Sequence, residues 1–176
     1  MQPNILLILT DDQGVGDLGR TGNRMLSTPH IDRLAAGGAT LNHFFVQPVC
    51  APTRAELLTG RLYPFTGVSG VQHGAERVNT DETFLPQLLK DAGYATGCFG
   101  KWHSGAQYPY HPCARGFEDF VGFCCGHWSH YFDSTLEHNG EAFQSEGYLP
   151  DVLTDHAISF MKENREKPFF CYVPLN

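Results

Sequence analysis

Asn4-Ile5-Leu6-Leu7-Ile8-Leu9-Thr10-Asp11-Asp12-Gln13-Gly14 is an unbroken apolar run that stops at two carboxylates and a glycine turn. A run of this length, bounded by a turn and lacking polar alternation, reads as a strand buried on both faces at the centre of a parallel sheet. Its polar end matters as much as its apolar body. Open α/β sheets place their chemistry beyond the carboxyl ends of parallel strands, so Asp11 and Asp12 mark the expected position of a site.

Working outward, Thr28-Pro29 fits a helix start with proline at the first helical position; Ile31, Leu34 and Ala35 form its stripe and Gly37-Gly38 ends it. Ala39 to Val46 reads as a short strand leading into the Cys50 loop. Pro52 to Thr59 is expected to be a helix that begins just after Cys50 and puts that side chain at a positive helix N-terminus. Thr83 to Ala92 is an amphipathic helix through Phe84, Leu85, Leu88 and Leu89, and Tyr94 to Phe99 is a strand that ends in Gly100-Lys101-Trp102-His103-Ser104-Gly105. Residues 104 to 149 are rich in Gly, His and aromatics with weak periodicity, which reads as a long functional loop region holding a short strand near Phe120–Phe123. Asp151 to Asn164 is a second amphipathic helix, and Pro168 to Val173 a last buried strand. Strands alternating with helices predict one domain with a doubly wound, mostly parallel sheet covered on both faces.

Composition narrows the function classes. With 176 residues, 41% of them hydrophobic and 12% aromatic, the chain is long enough and apolar enough for one buried core. A net charge of -7, with 12 scattered Lys and Arg, argues against a nucleic-acid partner, which needs a basic stripe. The run at Ile5–Leu9 is far too short for a membrane span, and Met1-Gln2-Pro3 shows neither a basic region nor a cleavage site for export. The compartment stays open. Six Cys at positions 50, 98, 113, 124, 125 and 171 include no C-x-x-C pair and no disulfide-scaffold density, so a disulfide is neither required nor excluded.

Several residues are candidates for chemistry. Asp11 and Asp12 would point to opposite faces within a strand, but where the backbone turns they can meet one hard divalent cation; a solvated turn is the plainer reading. Cys50 is either a buried inert thiol or, at a helix N-terminus, a nucleophile. Arg54, four residues on, can fold back toward Cys50, and Lys101 and His103 can share one site once the strand stops alternating. Cys124-Cys125-Gly126-His127-Trp128-Ser129-His130 has the residue types of a zinc site but lacks its ligand spacing, so His127, Trp128 and His130 read better as the mouth of a substrate pocket, with His73 from another Gly-rich loop.

Cys50-Ala51-Pro52-Thr53-Arg54, followed by Ala55-Glu56-Leu57-Leu58-Thr59-Gly60-Arg61, resembles the signature of the formylglycine-dependent sulfatases, a family within the alkaline phosphatase superfamily. Thr53 stands where Ser or Ala is usual. Asp11 to Gly19 and Gly100-Lys101-Trp102-His103 are similar to two further elements of that family, and the likeness continues through Thr28–Ala35 to Lys167-Pro168-Phe169-Phe170.

The resemblance implies an alkaline-phosphatase-like three-layer α/β sandwich and sulfate-ester hydrolysis on a sulfated sugar or an aryl sulfate. It implies that Cys50 is converted to formylglycine by a formylglycine-generating enzyme, and that calcium or magnesium is bound by Asp11, Asp12 and the modified Cys50. Arg54, Lys101 and His103 are then the other catalytic residues, with Lys101 on the sulfate and His103 on the nucleophile. The likeness is to the N-terminal part of a sulfatase only. The family's later His, Asp-Asn pair and second Lys have no counterpart before Asn176, so residues 1–176 are expected to be one truncated catalytic piece, with little or no turnover alone and an apolar sheet edge. Two other readings remain: a phosphodiester or phosphonate monoester hydrolase of the same superfamily, and a non-catalytic binding domain with Cys50 unmodified.

Overall fold

The computed structural model describes residues 2–176. The chain divides into two compact units, one running up to Asp11 and resuming at Gln47–Asn176, the other Asp12–Val46.

The larger unit is built on a six-stranded sheet. Its strands are β1 (Ile5–Leu9), β2 (Ala95–Lys101), β3 (Asp119–Phe123), β4 (Thr135–His138), β5 (Glu141–Gln144) and β6 (Phe169–Pro174). They lie in the order β1-β6-β2-β3-β4-β5. β1, β6, β2 and β3 are mutually parallel, whereas β4 and β5 add antiparallel strands at the far edge.

Alternation along the strands divides the core between two faces. Phe170, Tyr172, Cys98 and Phe120 pack on one side with Ala51, Ala55 and Leu58 of the helix Cys50–Thr59 and with Phe84 and Trp102. Phe169, Cys171, Val173, Phe99 and Val121 pack on the other with Ala157 and Phe160 of the helix Leu149–Glu163. Sheet, helices above and helix below make the expected three layers. In chain order the four helices are α1 (Pro29–Gly37), α2 (Cys50–Thr59), α3 (Leu85–Asp91) and α4 (Leu149–Glu163).

Three expectations are corrected. β1 is not a central strand: it pairs with β6 alone and forms one edge of the sheet. Ile5, Leu7 and Leu9 pack against the core while Leu6 and Ile8 are about half exposed, at 49% and 54%. Residues 39–46 form no strand; Leu41, Phe44, Phe45 and Val46 are exposed in an irregular segment. The region 104–149 contains an unpredicted hairpin, β4–β5, whose two-residue loop Asn139-Gly140 has φ of 52° and 95°. Positive φ at both loop residues matches a type I′ turn, in which Asn-Gly is the favoured pair. All six cysteines are free.

In the smaller unit, α1 begins with Pro29 in its first turn as expected. Thr28 Oγ1 accepts from Gly19 N at 2.8 Å and donates to Asp32 Oδ1 at 3.0 Å, which ties the helix start to the turn at Gly19–Thr21. A groove of about 710 Å³ lies beside this helix, lined by Leu18, Ile31, Leu34 and Leu41 among others.

Candidate active site

Because β1, β6 and β2 are parallel, their carboxyl ends emerge at the same edge of the sheet. Asp11 follows β1 by two residues, Lys101 closes β2, and α2 presents its first residue, Cys50. Two sets of contacts form there.

Asp11 Oδ2 accepts from Arg54 Nη2 at 2.8 Å and also from Lys101 Nζ. Arg54, on α2, is 1% exposed, and its Nη1 donates to the Lys101 carbonyl at 2.9 Å. A buried guanidinium needs such partners, since an unpaired buried charge costs several kcal/mol. Burial alone would raise the Asp11 pKa, but the Lys101 and Arg54 cations outweigh it and hold the carboxyl below its ordinary value of 3.8. Asp11 is therefore ionised at neutral pH.

The second set joins Cys50 to His103. Cys50 Sγ lies 3.1 Å from His103 Nδ1, and His103 Nε2 lies 2.9 Å from the Val71 carbonyl oxygen. A carbonyl only accepts, so Nε2 carries the proton and Nδ1 of the neutral ring presents its lone pair to Cys50. Burial is the main cause that lowers the His103 pKa below 6.5, and the nearby Lys101 and Arg54 charges push the same way against the Val71 hydrogen bond. His103 also adopts φ of 52°, a left-handed conformation disfavoured for a side-chain-bearing residue. The bonds from Trp102 N to Phe123 O (3.0 Å) and from His103 N to Cys124 O (3.2 Å) hold the segment there.

The contacts thus bring together Asp11, Cys50, Arg54, Lys101 and His103. Asp12 opens the second unit, with φ of 53°. His73, His127 and His130 are exposed and join none of these contacts. Trp128 is half-buried and stacks on Phe123 at 5.5 Å, its backbone paired with the Asn176 side chain, so it is packed rather than presented.

Local pattern gave no sign of a second cluster, His111, Cys124 and Glu137, whose ligand-type atoms lie within 4.8 Å of one another. His111 Nε2 is 2.7 Å from Glu137 Oε1, Cys124 Sγ donates to the same oxygen at 3.4 Å, and Cys113 N donates to His111 Nδ1 at 3.2 Å. With Nδ1 accepting, the imidazole proton sits on Nε2 and leaves no lone pair there for a metal. Burial pushes the Cys124 thiol far above its ordinary range, so it too keeps its proton. The cluster is a closed hydrogen-bonded triad around a carboxylate.

A family model described as Sulfatase matches residues 3–176. The chain belongs to the sulfatase family. Canine N-acetylgalactosamine-6-sulfatase is 34% identical over 201 residues, a match covering 97% of this chain and 38% of the relative. Human steryl-sulfatase is 42% identical over 137 residues, covering 69% of this chain and 23% of that protein. Among solved structures, Ps i-CgsB in complex with k-i-k-neocarrahexaose superposes with a TM-score of 0.90 at 33% identity, covering 100% of this chain and 45% of that one. BT4656 in complex with its substrate D-glucosamine-2-N,6-O-disulfate gives 0.86 at 28% identity, covering 99% and 34%. This sulfatase chain therefore spans 38% of the canine relative and 45% of the Ps i-CgsB chain. Among the described residues, no helix is long and apolar enough to cross a membrane.

Sulfatases generally use a metal and a formylglycine. For a hard cation the donor chemistry of this site fits: Asp11 Oδ2 is held by two cations, while Oδ1 has no hydrogen-bond partner among the described residues. Ligating carboxylates are ordinarily oriented in this way by outer hydrogen bonds. Two positive side chains on one carboxylate leave a local excess of +1, so a dication would need further anionic ligands.

Proposed function

We propose that this chain is the N-terminal part of the catalytic domain of a sulfuric ester hydrolase, with Cys50 as the formylglycine precursor. The observation that carries the reading is the Cys50 Sγ to His103 Nδ1 contact of 3.1 Å at the first residue of α2, beside the half-buried Asp11 and its buried partners Arg54 and Lys101. Formylglycine at this position would supply a hydrated aldehyde, that is, one hydroxyl able to displace the alcohol from sulfur and a second whose loss of a proton would let sulfate leave as the aldehyde re-forms.

The residues of this chain divide the remaining work. Sγ of Cys50 stands in for an oxygen of the hydrated group, which puts His103 Nδ1 in hydrogen-bonding reach of a hydroxyl proton. Val71 keeps the His103 ring in the tautomer that can accept that proton. Lys101 and Arg54 place positive charge where a sulfate ester gathers negative charge. Asp11 orients both cations, and with Asp12 it would hold a divalent cation of the calcium or magnesium type, which supplies Lewis-acid stabilisation when bound.

Sulfated sugars are the favoured substrate class. The named relatives include an N-acetylgalactosamine-6-sulfatase, and one structural neighbour holds a sulfated glucosamine as its substrate. The test is to express the whole reading frame with a formylglycine-generating enzyme, weigh the peptide ending at Arg54, and compare turnover of 4-nitrophenyl sulfate with phosphate mono- and diesters. Modified Cys50 with preference for sulfate is expected; preference for phosphodiesters, or an unmodified Cys50 in a competent host, overturns the reading. The polypeptide of residues 1–176 alone is expected to turn over sulfate esters poorly or not at all.

A further inference from the structure

The segment leading into Cys50, Gln47-Pro48-Val49, has no regular structure and its helix has no side-chain N-cap, since Val49 occupies the cap position. Something else must hold the first turn of α2. Gln47 Nε2 donates to Glu56 Oε1 at 3.0 Å and to Oε2 at 3.2 Å. Tyr63 N donates to Glu56 Oε1 at 2.9 Å. Thr53 Oγ1 donates to the carbonyls of Gln47 at 3.1 Å and Val49 at 2.9 Å. One carboxylate on α2 therefore ties the incoming segment, the helix and the outgoing turn together, with Cys50 between the tied points.

We propose that Glu56, acting through Gln47, is a positioning residue that holds the Cys50 side chain against His103. Glu56 touches neither Cys50 nor His103; it fixes the backbone that delivers Cys50. Both Gln47 and Glu56 are half-buried, so water competes weakly for the pair, and a carboxylate acceptor makes the bonds stronger than a neutral one. The effect on turnover rests on the sulfatase reading above, whereas the effect on Cys50 does not.

The experiment uses the protein expressed from its whole reading frame, as wild type, Glu56→Ala, Gln47→Glu and the exchange pair Gln47→Glu with Glu56→Gln. Gln47→Glu sets two carboxylates against each other. The exchange again faces an amide donor with a carboxylate and keeps a carbonyl oxygen for Tyr63 N. Formylglycine-bearing protein is assayed for kcat and KM on 4-nitrophenyl sulfate. Protein made without the generating enzyme is assayed for iodoacetamide alkylation of Cys50, with the exposed Cys125 as internal reference.

Both single variants should lower kcat by about tenfold or more with KM within about twofold, as misplacement of a reacting group does. They should also raise Cys50 alkylation several-fold relative to Cys125, as the half-buried thiol is released, and the exchange pair should restore both. Single variants that leave kcat and alkylation unchanged, or an exchange pair no better than its singles, overturn the proposal. If the wild type turns over no sulfate ester, the sulfatase reading falls, and recovery of Cys50 protection in the exchange pair alone decides the positioning role.

Discussion

His103 is the side chain whose protonation decides whether Cys50 has a proton acceptor beside it. Burial, then Lys101 and Arg54, favour its neutral form and lower its pKa below 6.5. In the unfolded chain the imidazole takes up its proton near 6.5, before the native one does. Its contribution to stability is therefore whole above that pH and declines as pH falls through it toward the lower native value. The acid limb of kcat/KM should likewise lie below 6.5, and a pH–rate profile with that limb at or above 6.5 would contradict the assignment of His103 as acceptor. Arg54 makes a second residue-scale case. Arg54→Met should lower unfolding free energy by about 3 kcal/mol in urea titration, because Asp11 loses one of its two buried partners and the Lys101 carbonyl its donor. The sequence alone offered these residues as candidates: spacing put Arg54 on a helix expected to begin just after Cys50, and Lys101 with His103 at one strand end, whereas the structure starts that helix at Cys50 itself. The sequence was silent on which of them pair, since Asp11 meets Lys101 only through the strand order. The Val71 carbonyl has no side-chain signature at all, and the Glu56 clamp depends on a return of the chain at Gln47.

The error over β1 arises at the element scale. Five apolar residues in a row read the same whether both faces are covered or one, and only the pairing partner distinguishes an edge from a centre. The apolar segment 39–46 misled for a related reason: hydrophobic composition was present, but no neighbouring strand pairs with it. The β4–β5 hairpin, by contrast, did leave a trace in Asn139-Gly140, and weak alternation in the flanks hid it. Helix α4 was legible through the helical spacing of Val152, Leu153, Ala157, Ile158 and Met161, although the residues it buries are Leu149, Leu153, Ala157 and Phe160. Phe160 is its main anchor on the sheet, 5.4 Å from the Phe99 ring and 6.2 Å from Phe169 by centroids. Phe160→Ala should cost about 3–5 kcal/mol and lower the thermal midpoint, with early loss of amide protection in α4 by hydrogen exchange. Unchanged protection would mean that the helix is held from elsewhere.

At the scale of the molecule, the polypeptide of residues 1–176 has a core closed by helices on both sheet faces yet keeps large apolar groups in water. β1 offers an unpaired backbone edge, and Leu6 and Ile8 are exposed beside it at 49% and 54%. The smaller unit separately exposes Met25, Leu34, Phe44 and Phe45. A net charge of -7 opposes association through long-range repulsion, but salt at physiological strength confines that repulsion to about 8 Å. Short-range burial then wins. This polypeptide should self-associate in a concentration-dependent way, seen by sedimentation velocity, and more strongly as salt is added. The edge strand is the better template, because it adds backbone hydrogen bonds to apolar contact. Leu6→Lys with Ile8→Lys should therefore shift the distribution toward monomer, since both side chains are exposed and a like-charged edge repels its copy. Leu34→Lys in α1 should shift it less. The reverse ranking would place the associating surface on the smaller unit, and a wild-type monomer at high concentration in high salt would remove the edge argument altogether.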